Sequence, residues 1–202
     1  MKQLLLLNFF IAFFLIGSTQ IVESRVAQFI SSHSIDTFLV YSVPCSGSVY
    51  LDSCQYDDPH FLFFKKKDNY YLKRFDYCTT YQPLLLDANN PLTYYLEDKA
   101  VIDTEEIKPP TYIEVKKKRN KVDSLLTISS VSHSCYYKFQ LSFGKEPVYK
   151  YANSYDLEFK VFDNGKDNMY YTYNQQTKLK ALIDLTSLLI KNLNADKKFK
   201  TE

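Results

Sequence analysis

Apolar residues recur along this chain in two distinct periods. Val22, Val26, Phe29 and Ile30 repeat at helical spacing around Glu23, Arg25 and Gln28. This predicts a short amphipathic helix, ended by Ser31-Ser32-His33-Ser34. Thr37 to Val43 is a continuous apolar run of strand-favouring residues, stopped by Pro44. Val49 to Leu51 reads as a second short strand. His60–Lys66 and Tyr70–Cys78 read as one hairpin turning through Lys67-Asp68-Asn69. Pro91–Leu96 offers a further strand, and Ile113–Lys117 with Val122–Ser130 a further hairpin.

The second half alternates more strictly. Tyr137, Phe139, Leu141 and Phe143 form one period-two row, and Tyr155, Leu157, Phe159 and Val161 another. Such rows predict antiparallel strands with one buried and one wet face. Asn164-Gly165 predicts a tight hairpin turn, with Asn168 to Asn174 as the return strand. From Thr177 to Leu193 the period changes. Leu179, Leu182, Ile183, Thr186, Ile190 and Leu193 fall on one helical face, and Asn174 or Thr177 is placed to cap its start. Pro109-Pro110 is the strongest break, read as a connector inside one domain.

These elements predict an α+β fold: a single antiparallel sheet of about six to nine strands, with the amphipathic C-terminal helix packed on one face. The N-terminal helix is expected at an edge or on that same face. Residues 195–202 read as a polar tail that frays.

The first residues stand apart. Lys2 precedes an apolar run from Leu4 to Ile16, and small residues follow at Gly17, Ser18 and Thr19. The run is shorter than the roughly 20 residues a spanning helix needs. Residues 1–19 therefore read as a signal peptide, with residues 20–194 as the exported domain. An uncleaved anchor or a buried helix are the alternatives. No second apolar run approaches membrane length, so no membrane span is expected in the mature chain. The expected location is periplasmic or extracellular.

Charge narrows the partners. The chain holds 25 Lys+Arg and 23 Asp+Glu, net +2, and loss of Lys2 lowers this to +1. Nothing in that balance favours nucleic acid. Lys65-Lys66-Lys67 and Lys116-Lys117-Lys118-Arg119 fall where hairpins turn, and solvated turns carry such runs routinely.

Export changes the reading of the four cysteines, Cys45, Cys54, Cys78 and Cys135. Outside the cytosol they are expected to form disulfides. Three pairings exist, and the favoured one joins Cys45 to Cys54 and Cys78 to Cys135. A zinc site with His33, His60 or His133 lacks the usual tight cysteine pairs. A Cys–His nucleophile is disfavoured where thiols oxidise.

Chemical signatures are few. Four glycines leave no phosphate-cradling loop. Asp57-Asp58-Pro59-His60 is the one polar cluster suited to a cation or a general base, although Asp and Pro also simply form turns. The loop from Asp163 to Asn168 resembles a calcium loop only loosely, because its glycine comes too early and no glutamate closes it. Tyr pairs at 70–71, 94–95, 136–137 and 170–171 suit a binding face, but any two-faced sheet also exposes one Tyr of each pair.

The expected function is a non-enzymatic interaction module for an unknown protein or small ligand, without a cofactor or metal. A hydrolase using Asp57, Asp58 and His60 is the first alternative. An inhibitor or immunity protein for another secreted enzyme is the second.

Overall fold

The computed structural model describes residues 19–47, 58–118, 121–144 and 146–202. Residues 1–18 of the expected signal peptide, the strand expected at 49–51, Cys54 and Asp57 lie outside the described residues. In chain order the elements are α1 (Thr19–Ser32), β1 (Thr37–Ser42), β2 (His60–Lys66), β3 (Asn69–Phe75), β4 (Leu84–Leu86) and α2 (Pro91–Ile102). Then come β5 (Thr111–Lys118), β6 (Lys121–Ile128), β7 (Tyr136–Phe143), β8 (Val148–Asn153), α3 (Ser154–Glu158), α4 (Tyr171–Gln176) and α5 (Lys178–Ala195).

Six strands form one sheet in the order β4-β3-β2-β1-β7-β8, and β5 and β6 form a separate two-stranded ribbon. Every pairing between these strands is antiparallel. The α+β class, the large antiparallel sheet and the C-terminal helix on one face are as the sequence pattern predicts.

The sheet is covered on both faces at its centre, which corrects the expectation of one wet face. β1 is buried at every position, which is what its unbroken apolar run requires. Leu39 stands beside Phe63 and Leu141, and Tyr41 beside Phe61 and Phe139. This layer packs under Leu92, Tyr95 and Ile102 of α2 and Leu179, Leu182, Ile183 and Ile190 of α5. The alternate residues Phe38, Val40, Leu62 and Phe64 pack under Val22 and Val26 of α1. So α1 lies on the face opposite α5, neither at an edge nor on the α5 face as expected from sequence. The helix closes at Ser34, whose φ of 52° lets the Ile35 amide reach back to the Ile30 carbonyl at 3.0 Å.

Three expected strands are helices instead. Pro91–Leu96 begins α2, because Asn90 accepts hydrogen bonds from the amides of Leu92 and Thr93 and Pro91 fills the first turn. The row starting at Tyr155 begins with α3, where Asn153 caps the Tyr155 amide. The Asn164-Gly165 turn forms, with Gly165 at φ 75° and the Phe162 amide bonded to the Lys166 carbonyl. Its ladder stops at the single bridge Val161–Asp167, and the chain then turns into α4. Thr177 caps α5 through the Lys180 amide, as its position in the sequence predicts.

The polar tail does not fray. Thr201 bridges Tyr81, the Gln82 amide donates to the Lys200 carbonyl, and Phe199 lies beside the rings of Phe61 and Tyr81. The buried Lys73 ammonium donates to the Tyr81 carbonyl at 2.6 Å and to the Glu202 carboxylate. The tail thus supplies the counter-charge that a buried lysine needs.

Candidate functional site

The α1 face is only half covered. α1 lies over β1 to β3, and β7 and β8 continue the sheet beyond it. On that open half, residues directly opposite one another share a face: Val40 with Gln140 and Tyr149, then Ser42 with Lys138 and Tyr151. Glu23, Val26, Ala27 and Ile30 of α1 form one wall, and His60 of β2 completes the lining. The result is a cleft of about 320 Å³. Tyr149 and Tyr151 are 56% and 57% exposed, so their rings stand in solvent at the cleft rim.

His60 is the titratable group built deepest into this lining. It is 8% exposed. Its Nδ1 lies 3.0 Å from the Asp58 carbonyl. A carbonyl only accepts, so Nδ1 carries the proton and Nε2 is left as an acceptor. Burial lowers the His60 pKa below its ordinary value, and the Asp58 carbonyl bond partly opposes that shift. The ring is therefore neutral at physiological pH. Of the expected loop of Asp57, Asp58 and His60, the structure describes Asp58 and His60. Asp58 reaches His60 through its backbone carbonyl, and Asp57 lies outside the described residues.

A disulfide ties the chain just past the paired ends of β1 and β7. Cys45 follows β1 and Cys135 precedes β7, and the two are bonded. This corrects the pairing favoured from sequence, which joined Cys45 to Cys54 and Cys78 to Cys135. The reason is topological: β1 and β7 are antiparallel neighbours, so their extensions past Ser42 and Lys138 run side by side. The Ser46 amide to the Ser134 carbonyl and the Tyr136 amide to the Pro44 carbonyl continue the ladder around the bridge. Gly47, at φ 81°, lets the His133 ring lie where a Cβ would sit. Cys78 is disulfide-bonded as well. Among the described residues no cysteine is free, and no group of three His, Cys, Asp or Glu is placed to hold a metal. His133 bonds Ser132 Oγ through Nδ1, beside a Cys135 that has no thiol to offer.

Sequence reasoning found His60 but not its neighbours. Tyr149 and Tyr151 lie on β8, which the sequence pattern above does not predict, and Lys138 and Gln140 on the wet face of β7 join the cleft only through that neighbour. The alternation in Val148-Tyr149-Lys150-Tyr151-Ala152 was the available signal. The tyrosine pairs scatter: Tyr95 is in the core, Tyr136 is exposed, and Tyr70, Tyr71, Tyr94, Tyr137, Tyr170 and Tyr171 are half-buried. No helix of the described residues is long and apolar enough to cross a membrane. Neither a family model, nor a curated protein, nor a solved structure matches the chain.

Proposed function

We propose that the protein is an exported, non-enzymatic binding module, with the cleft between α1 and β7–β8 as its ligand seat. The observation that carries this reading is the open floor itself. Two half-exposed tyrosines flank Lys138 and Gln140 on a rigid sheet, offering aromatic area beside a cation and an amide. Tyrosine orders at low entropic cost, so such a floor binds without prior rearrangement. Export through residues 1–19 agrees with the Cys45–Cys135 disulfide, which needs an oxidising compartment to persist.

The test is capture from the exported fraction of the producing cell, with the parent chain and with Tyr149→Ala/Tyr151→Ala. A partner or ligand held by the parent and lost in the double variant supports the reading. Identical capture by both sinks it.

The hydrolase alternative keeps one supporting observation, a neutral His60 held in a single tautomer at the cleft. Asp57→Ala, Asp58→Ala and His60→Ala discriminate. Loss of a hydrolytic activity in a folded variant favours the enzyme. The inhibitor or immunity reading is a special case of the binder, and predicts that the captured partner is itself a secreted enzyme.

A further inference from the structure

We propose that the β5–β6 ribbon docks its aliphatic face on an anionic lipid surface. The register sets Ile113 opposite Leu126 and Thr111 opposite Ile128, with Val115 next on the same face. Ile113, Val115, Leu126 and Ile128 are 48%, 54%, 63% and 63% exposed. A row of aliphatic side chains on a two-stranded ribbon has no stabilising reason to face water.

The opposite face is anchored at its base, and further along it Leu125 is 54% exposed. On this opposite face, the Tyr112 ring meets Phe162 at 4.5 Å, and the Lys166 ammonium stands 4.6 Å over Tyr112. At the base, buried Asn168 accepts from the Thr111 and Tyr170 amides and donates to the Phe159 carbonyl. The Met169 amide adds a bond to the Thr111 carbonyl. The base is fixed to the body by buried polar bonds, and the rest of the ribbon runs on from it.

Charge identifies the occupant. Lys116, Lys117, Lys118 and Lys121 occupy the far end of the ribbon, where Asp123 opposite Lys116 is the one acid in register with them, in a chain whose net charge is only +2. By register Lys117 continues the aliphatic face, and Lys116, Lys118 and Lys121 fall on the other face of the same tip. An aliphatic ribbon with a lysine-rich end fits a surface that is apolar below and negative above. A second copy of the chain fits less well. Four half-exposed aliphatic residues offer a few hundred Å², against about 800 Å² per partner in a stable complex. Ribbons paired side by side with their tips together would also bring like charges into contact. A lipid interface demands no matching shape, and each lysine near an anionic surface adds roughly five-fold to partitioning. This docking is independent of the cleft.

The chain has no Trp, so a single introduced one reports on the ribbon alone. Leu126→Trp, with Ile128→Trp as a second probe, is placed on the aliphatic face. Leu85→Trp, on β4 at the far edge of the sheet and 67% exposed, is the control. Each full-length variant is mixed with phosphatidylcholine vesicles, or with vesicles in which roughly one lipid in three is phosphatidylglycerol. The expected result is a blue shift of the ribbon probes on the anionic vesicles only, with no shift of the control. Lys116→Gln/Lys117→Gln/Lys118→Gln/Lys121→Gln should weaken that partitioning by several hundred-fold, on the order expected for four lysines. No shift, an equal shift of the control, or an equal shift on both vesicle types overturns the proposal. So does a shift in buffer alone that grows with protein concentration, which would assign the face to a second copy instead.

Discussion

Asn174→Ala tests whether the connector between the two halves is held by one side chain. Asn174 is fully buried. Its Oδ1 accepts from the Lys108 amide at 2.9 Å, and its Nδ2 donates to the Lys108 carbonyl at 2.8 Å and the Asp156 carbonyl at 3.0 Å. One amide thus ties α4 to α3 and to the segment entering Pro109-Pro110. Alanine strands three backbone groups at once. A buried group left unpaired costs about 1–3 kcal/mol. Lys108 and Asp156 are half-buried, so water recovers part of that loss and the lower end applies. About 3–4 kcal/mol is expected, a large share of the about 5–15 kcal/mol that stabilises a whole domain. At roughly 2–4 °C per kcal/mol for a chain of this size, the midpoint should fall by about 6–16 °C. Urea and thermal melts followed by tyrosine fluorescence measure it. A loss under about 1 kcal/mol would refute the reasoning. Asn174→Asp sharpens the test, since at neutral pH it sets a carboxylate oxygen against two carbonyl oxygens. It should be worse than alanine at pH 7. It should recover as pH falls, because protonation restores one donor and the buried carboxyl binds its proton more tightly folded than unfolded.

Cys45→Ser/Cys135→Ser opens a bridge spanning 90 residues of sequence. The chain-entropy model puts that closure near 4–5 kcal/mol, and the bonded Cys78 shortens the effective loop. A drop of about 2–4 kcal/mol in denaturant stability is expected, and an unchanged midpoint would show that the bridge does not constrain the unfolded chain. Two groups set opposite pH slopes. Burial raises the Asp156 pKa from 3.8 to about 6. Its stabilising contribution is present below the unfolded value and lost as pH rises through about 6. The shift is worth on the order of 1–2 kcal/mol after discounting for partial exposure. Asp156→Asn should flatten that slope, and an unchanged stability–pH curve would contradict the burial account. Burial lowers the His60 pKa below 6.5, so its contribution is present above 6.5 and lost as pH falls through the folded value. His60→Gln should remove that acid-side loss, and persistence of the loss would place its origin elsewhere.

The segments legible in sequence share one property: a long, unbroken period. β1, the β2–β3 and β5–β6 hairpins, β7, α1 and α5 each run far enough for apolar spacing to declare the element. The misread segments are short and rich in tyrosine. Pro91–Leu96, Tyr155–Val161 and Asn168–Asn174 look like strands because they are short, apolar and aromatic, yet each is helical in whole or in part, and local side-chain capping decides the first two. Asn90 and Asn153 each accept amides of the turn that follows, a competition that a pattern of apolar positions does not register. The cysteine pairing and the cleft were hidden for another reason. Both depend on β7 lying next to β1 although β2 to β6 intervene in sequence. Tyr149 and Tyr151 gain meaning only once Lys138 and Ser42 stand beside them.

The open half of the sheet follows from the helix count. Strands lie about 4.8 Å apart, so a face six strands wide spans roughly 24 Å. One helix, about 10–12 Å across with its side chains, covers roughly half of that width. The face under α2 and α5 has two helices, and its layer is apolar through β7 to Val148 and Ala152 of β8, with Lys150 between them bonded to the Asp103 and Glu105 carbonyls. The opposite face has α1 alone, and its chemistry changes where the helix ends. Phe38, Val40, Leu62 and Phe64 lie under it, whereas Lys138, Gln140, Tyr149 and Tyr151 lie beyond it. A floor meant for a further helix would carry aliphatic residues, as the other face does. This one carries side chains that tolerate water and still offer contact, which is the composition of a surface that is wet when empty and dry when occupied. The β5–β6 ribbon presents the reverse chemistry, with Ile113, Val115, Leu126 and Ile128 in the open. As proposed, the cleft takes a polar-aromatic ligand and the ribbon an apolar interface, which are partners of different kinds.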